Sequence, residues 1–115
     1  MPDEEQSDLL KVLSDEHARK ILQETMNQPM SADELSDVCG ISPQSVYRRT
    51  DTLTDHGLLD TEMRYDTEGH HFRTYTADPT QIVVDITEDD VAVTISQQAQ
   101  MTDRFTEFVN HVRDQ

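Results

Sequence analysis

The residues best placed to do chemistry lie between Gln44 and Arg73, and their types suit recognition better than bond-making. In the stretch ISPQSVYRRTDTLTDHGLL, residues 41–59, Val46 and Leu53 stand two helical turns apart with Thr50 between them. Gln44, Ser45, Arg48 and Arg49 lie largely off that stripe. A helix buried on one side and offering an amide, hydroxyls and guanidinium groups on the other carries the donor set that reads the major groove of DNA. Catalysis has no comparable support. With only three glycines there is no glycine-rich phosphate loop, and no nucleophile stands in a recognisable setting, so an enzyme is not expected.

Those side chains need a helix that starts and stops in the right place. Ser42 can cap its first turn, Pro43 suits the first helical position, and Gly57 supplies the left-handed residue that ends it. Upstream, Leu9, Leu10, Val12 and Leu13 predict a short amphipathic helix. Ser14 or Asp15 can cap a second helix, in which Ala18, Ile21, Leu22 and Met26 recur at helical spacing until Pro29. Ser31 and Glu34 have the capping-box spacing and open a third helix with Leu35 and Val38 inward, ended by Gly40. Two helices so close together are a helix-turn-helix.

Downstream the period changes from helical to alternating. Leu59, Thr61, Met63 and Tyr65 share one face of a predicted strand, residues 67–70 turn, and residues 71–76 return, which makes a hairpin behind the candidate recognition helix. Ile82, Val84 and Ile86, then Val91, Val93 and Ile95, predict a second hairpin across Glu88-Asp89-Asp90, with an early start of the last helix as the alternative. From about Gln97 the spacing is helical again, and Met101, Phe105, Phe108, Val109 and Val112 form a stripe suited to a dimer interface. The fold class expected is α+β, a winged helix-turn-helix with a C-terminal dimerisation helix. Residues 1–80 form the DNA-binding part and 81–115 the dimer-forming part of one compact domain.

Charge argues in the other direction. Nine basic against 24 acidic residues leave the 115-residue chain at −15. The deficit is uneven: residues 43–76 hold four arginines against six acids, the least repellent third for a phosphate backbone. The acid is dispersed, with 15 Asp, 13 Thr and only two lysines, the composition of a protein kept hydrated in a salt-loaded cytoplasm. A halophilic origin is therefore expected. No apolar run approaches a membrane span and the acidic start MPDEEQSD is unlike a signal peptide, so a cytoplasmic protein without membrane association is expected.

The segment SADELSDVCGISPQSVYRRTDTLTDHGLLDTEMRYDTEGHHFRTY resembles the winged helix-turn-helix of the ArsR-like bacterial and archaeal transcription regulators, over roughly residues 8–76. The resemblance implies a homodimer that binds double-stranded DNA and usually represses transcription. It implies DNA-facing roles for Gln44, Ser45, Tyr47 and Arg48, with Gln44 suited to adenine and Arg48 to guanine. Arg49 would reach a phosphate, and Arg64, His70, His71 and Arg73 of the wing would meet the backbone or the minor groove. The chain departs from the family at Thr50, where a large aliphatic residue is usual, which predicts looser packing.

Many relatives of that kind sense metals, but the ligands are missing here. Ser36 stands where a second thiolate would be needed beside Cys39, and soft-metal sites gather several thiolates. Cys39 reads as a small packing residue, and redox sensing would require a lowered thiol pKa. Asp103, Glu107, His111 and Asp114 share a helical face, but Arg104 and Phe105 stand where a second histidine is needed. His70 and His71, adjacent on a strand, point to opposite sides. No metal and no cofactor are expected, and no small-molecule effector is identifiable. The rival class is a winged-helix adaptor or DNA mimic that binds protein instead of DNA.

Overall fold

The computed structural model describes residues 4–97. Four helices, α1 (Glu4–Leu13), α2 (Glu16–Asn27), α3 (Ala32–Cys39) and α4 (Pro43–Asp55), are joined by a two-residue strand β1 (Met30–Ser31) and followed by β2 (Asp60–Tyr65), β3 (His71–Thr76), β4 (Thr80–Ile86) and β5 (Val91–Gln97). The fold is α+β, a winged helix-turn-helix. The expected C-terminal helix, with Met101, Phe105, Phe108, Val109 and Val112, lies outside the described residues. The chain divides into two compact units, one of residues 7–77 and a second that contains the β4–β5 hairpin.

In the unit of residues 7–77, α2, α3 and α4 each begin at a polar cap. Asp15, and not Ser14, caps α2 by accepting the His17 amide at 2.9 Å. Ser31 and Glu34 exchange both bonds of a capping box, at 3.2 and 3.1 Å, and fix the start of α3. Gly40, at φ 69°, ends α3 by donating to the Ser36 carbonyl at 2.9 Å. Only Ile41 and Ser42 separate it from Pro43, and Ser42 accepts the Ser45 amide at 3.2 Å. Gly57, at φ 75°, lets the Leu58 amide reach back to the Leu53 carbonyl at 2.9 Å, which turns the chain out of α4 and into the wing.

The three helices α2, α3 and α4 pack on one another, and α2 and α3 also pack on β3. Ala18, Ile21, Leu35, Val46 and Leu53 are buried between them, with Leu58, Leu59 and Tyr75 from the wing side. Two expected core residues are instead on the surface. Met26 is exposed, and Thr25 takes the inward position beyond Ile21, satisfying its hydroxyl on the Ile21 carbonyl at 2.7 Å. Val38 is also exposed, because the inward stripe of the eight-residue α3 runs through Ala32 and Leu35 and then toward Cys39. Thr50 is fully buried and donates to the Tyr47 carbonyl at 3.1 Å, so the predicted looseness is met by a closed hydrogen bond.

Sequence reading missed β1, whose two residues are too few to show a period. Met30 pairs with Tyr75 and Ser31 with Thr74, adding a third strand to the β2–β3 hairpin in the order β1-β3-β2. The pairing ties the start of α3 to the wing, and the Ala77 amide donates to the Thr25 carbonyl at 3.2 Å just beyond it.

The second unit contains the β4–β5 hairpin in the expected antiparallel form, so Val91 onward is strand and not helix. Ile82 pairs with Ile95, Val84 with Val93 and Ile86 with Val91, which puts all six aliphatics on one face. The turn closes where Thr87 donates its amide to the Asp90 carbonyl at 2.8 Å.

Two stability changes are expected. Leu53→Ala removes a fully buried side chain at the α4 contact and should destabilise the fold by about 2–5 kcal/mol in denaturant melts. Tyr75→Phe should be neutral or stabilising by about 1 kcal/mol, since the buried Tyr75 hydroxyl has no hydrogen-bond partner among the described residues.

Candidate nucleic-acid interface

The burial of Val46, Thr50 and Leu53 fixes the rotation of α4 about its axis. The opposite face then carries Gln44 and Arg48, both exposed, with Tyr47 half-exposed on one flank. Among the described residues Arg48 makes no ion pair with Asp51 or Asp55, although both acids stand exposed one and two turns further along the same face. Ser45 is half-buried, and its hydroxyl meets that of the cap residue Ser42 at 3.1 Å.

Arg49 occupies the other flank and has a different partner from the phosphate expected of it. Its Nε donates to Asp15 Oδ2 at 2.8 Å and its Nη1 to the Ser45 carbonyl at 3.1 Å, with the side chain only 15% exposed. Partial burial pushes the Asp15 carboxyl up, but the Arg49 hydrogen bond, the His17 amide and the Arg49 charge together hold it below the ordinary aspartate value. The capping residue of α2 is thereby clamped to the flank of α4. Two protein acceptors thus hold the Arg49 guanidinium in this structure.

The wing divides its candidates between two faces and a tip. Register pairs Met63 with Arg73 and Tyr65 with His71, so these four share one face, and the Tyr65 and His71 rings meet edge-on at 4.4 Å. Arg64 pairs with Phe72 on the other face, where its Nη2 lies 3.4 Å from Glu62, an exposed contact of little energetic weight. At the tip Asp66 accepts the amides of Glu68 and His70 at 2.9 and 2.8 Å, and its second oxygen meets His70 Nδ1 at 3.1 Å. The His70 amide is the leading cause that holds the Asp66 carboxyl below its ordinary range. His70 is therefore part of the turn's own bonding.

Between the wing and the helices lies a groove of about 390 Å³. Residues 31–33 at the start of α3 form one wall, Tyr47 of α4 another, and Met63 with residues 71–73 of the wing the third. The structure thus brings Tyr47, His71 and Arg73 together and leaves Arg64 and His70 elsewhere. Ser31, Ala32 and Asp33 were not among the residues expected at the site. Their signal was present only as a capping box, since it is the β1–β3 pairing that carries them beside Arg73.

Cys39 is half-buried, and loss of solvation pushes its thiol pKa up, the opposite of what a redox sensor needs. Among the described residues no helix is long and apolar enough to cross a membrane.

Comparison with known proteins agrees with this fold. Residues 13–62 match a family described as a helix-turn-helix domain. No curated protein matches the chain. Among solved structures, an "ArsR-like Transcriptional Regulator from Rhodococcus sp. RHA1" superimposes with a TM-score of 0.52 at 21% identity, covering 96% of this chain and 81% of that one. At that identity the likeness is one of fold.

The clamp on α4 should show in the pH dependence of stability. Asp15→Asn keeps an acceptor for the His17 amide but loses the charge opposite Arg49, and should cost roughly 1–2 kcal/mol at neutral pH. A carboxyl whose folded pKa is lowered stabilises the fold above its unfolded value and loses that contribution as pH falls through the folded value. The difference between wild type and variant should therefore be constant above about pH 5 and shrink below the ordinary aspartate value near about 3.9, as read from urea melts at each pH.

Proposed function

We propose that the chain is a sequence-specific DNA-binding transcription regulator, a repressor, that acts as a homodimer. Residues 1–80 are the DNA-binding part, with α4 in the major groove and the β2–β3 wing against the backbone or minor groove. One observation carries the reading: Gln44, Tyr47 and Arg48 stand exposed on a helix whose opposite side is fully buried. That helix lies inside the segment matching a helix-turn-helix domain, and the structural neighbour is itself titled a transcriptional regulator.

Roles follow from donor chemistry. Gln44 presents the amide that pairs with the adenine edge, and Arg48 the fork that pairs with guanine. Ser45 and Tyr47 have hydroxyls for a phosphate or a base edge, while Arg64, His70, His71 and Arg73 supply the wing. Residues 81–115 form the dimer, through Met101, Phe105, Phe108, Val109 and Val112. Two-fold symmetry then spaces the two recognition helices by one DNA turn, about 34–36 Å. The protein's net charge is set by its solvent, a halophilic cytoplasm. The partners are double-stranded DNA and a second copy, with no cofactor.

Selection of a random duplex pool by the full-length protein tests this. The retained duplexes should carry a pseudo-palindrome with half-sites about 10 bp apart. Arg48→Ala should weaken binding by about tenfold or more and relax preference at one base pair per half-site. Unchanged enrichment by that variant would transfer the assignment to the protein-binding adaptor. With Arg48 and Arg73 as the cations free of ion pairs among the described residues of this surface, a dimer neutralises few phosphates. The slope of log affinity against log salt should be about −4 or shallower, at roughly −0.9 per phosphate.

A further inference from the structure

The groove between α3, Tyr47 and the wing has a use that neither the helix nor the wing has alone. Its volume of about 390 Å³ is ample for one phosphodiester group. Two of its walls carry donors: the Tyr47 phenol on α4, and Arg73 and His71 on one face of the wing. Arg73 forms no ion pair among the described residues, although the chain has 24 carboxylates. The third wall carries an exposed carboxylate, Asp33, placed there by the pairing of Ser31 with Thr74, the residue after Arg73. Among the described residues Asp33 makes no ion pair with Arg73, so the groove lining includes a cation and an anion that are not paired with each other.

We propose that this groove seats one backbone phosphate of the bound DNA, shared between Tyr47 of the recognition helix and Arg73 and His71 of the wing, and that Asp33 admits the phosphate only with an accompanying monovalent cation. The proposal rests on the DNA-binding reading above and names a subsite within it. A phosphate entering the groove meets charge-assisted donors on two walls and a like charge on the third. A potassium or sodium ion between the Asp33 carboxylate and the phosphate removes that repulsion. Binding at this subsite therefore takes up one cation where ordinary phosphate contacts release one, so the protein keeps its grip in concentrated salt.

The test uses the full-length protein and a duplex enriched by it from a random pool. In a series of that duplex, each member carries one uncharged methylphosphonate linkage at a different position. Wild type should lose about tenfold or more in affinity at one linkage per half-site, and Arg73→Gln should be insensitive to that same linkage. Asp33→Asn should bind the unmodified duplex more tightly than wild type at low KCl, with a salt slope more negative by about two, one for each protomer of the dimer. Thermal melts of each variant confirm that it is folded. If Arg48→Ala weakens binding but no linkage loses its effect in Arg73→Gln, the seat is refuted while the DNA-binding reading stands. An unchanged salt slope in Asp33→Asn refutes the cation. A pool that enriches no duplex overturns both readings.

Discussion

The seating of α4 on α2 and α3 governs what this unit of the protein presents to any partner. Val46, Thr50 and Leu53 have no solvent exposure, so the helix cannot roll without lifting a buried stripe into water. The Arg49–Asp15 bond at 2.8 Å adds a lateral stop, because it fastens the side of α4 to the N-terminus of α2. Apolar burial sets which side of the helix faces inward, and the ion pair narrows the remaining freedom to one orientation. Gln44, Tyr47 and Arg48 inherit their exposure from those two constraints.

A second device places the wing. Gly57 and the bond from Leu58 back to Leu53 set the direction in which the chain leaves α4, and the two-residue β1 then fixes β3 against the beginning of α3. Three elements far apart in the chain meet around one groove as a result. The wing tip is held by its own bonds through Asp66, which keeps the turn ordered without help from a ligand. Local closure at both ends leaves Arg73 and Met63 on one face of the wing, with His71 edge-on against Tyr65 beside them.

Charge then has to be read by location and not by total. The −15 of the whole chain describes its average surface, whereas binding depends on which groups lie within a Debye length of the partner. On the outward face of α4, Arg48 is followed by Asp51 and Asp55, and in the groove Arg73 is opposed by Asp33. Acid is thus interleaved with the basic groups even at the surface best suited to phosphate.

Much of this was legible in the chain itself. The caps at Ser31, Ser42, Gly40 and Gly57 act over three or four residues, so short-range chemistry specifies where α3 and α4 start and stop. The change of period marked the helices and the first hairpin and assigned Val46 and Leu53 to the core, while residues from Val91 stayed open between strand and helix. What the sequence could not decide were choices between near-equivalent neighbours: Thr25 over Met26 as the inward residue, Cys39's side over Val38's, and Asp15 as both cap and partner for Arg49. Those depend on where another element sits, and a single stripe of 100° steps leaves adjacent positions almost equally good. The bond between Arg49 and Asp15 was equally hidden, because the two lie 34 residues apart. The groove with Asp33 was invisible for the same reason: long-range pairing of two residues brings it into being, and nothing periodic announces a strand that short.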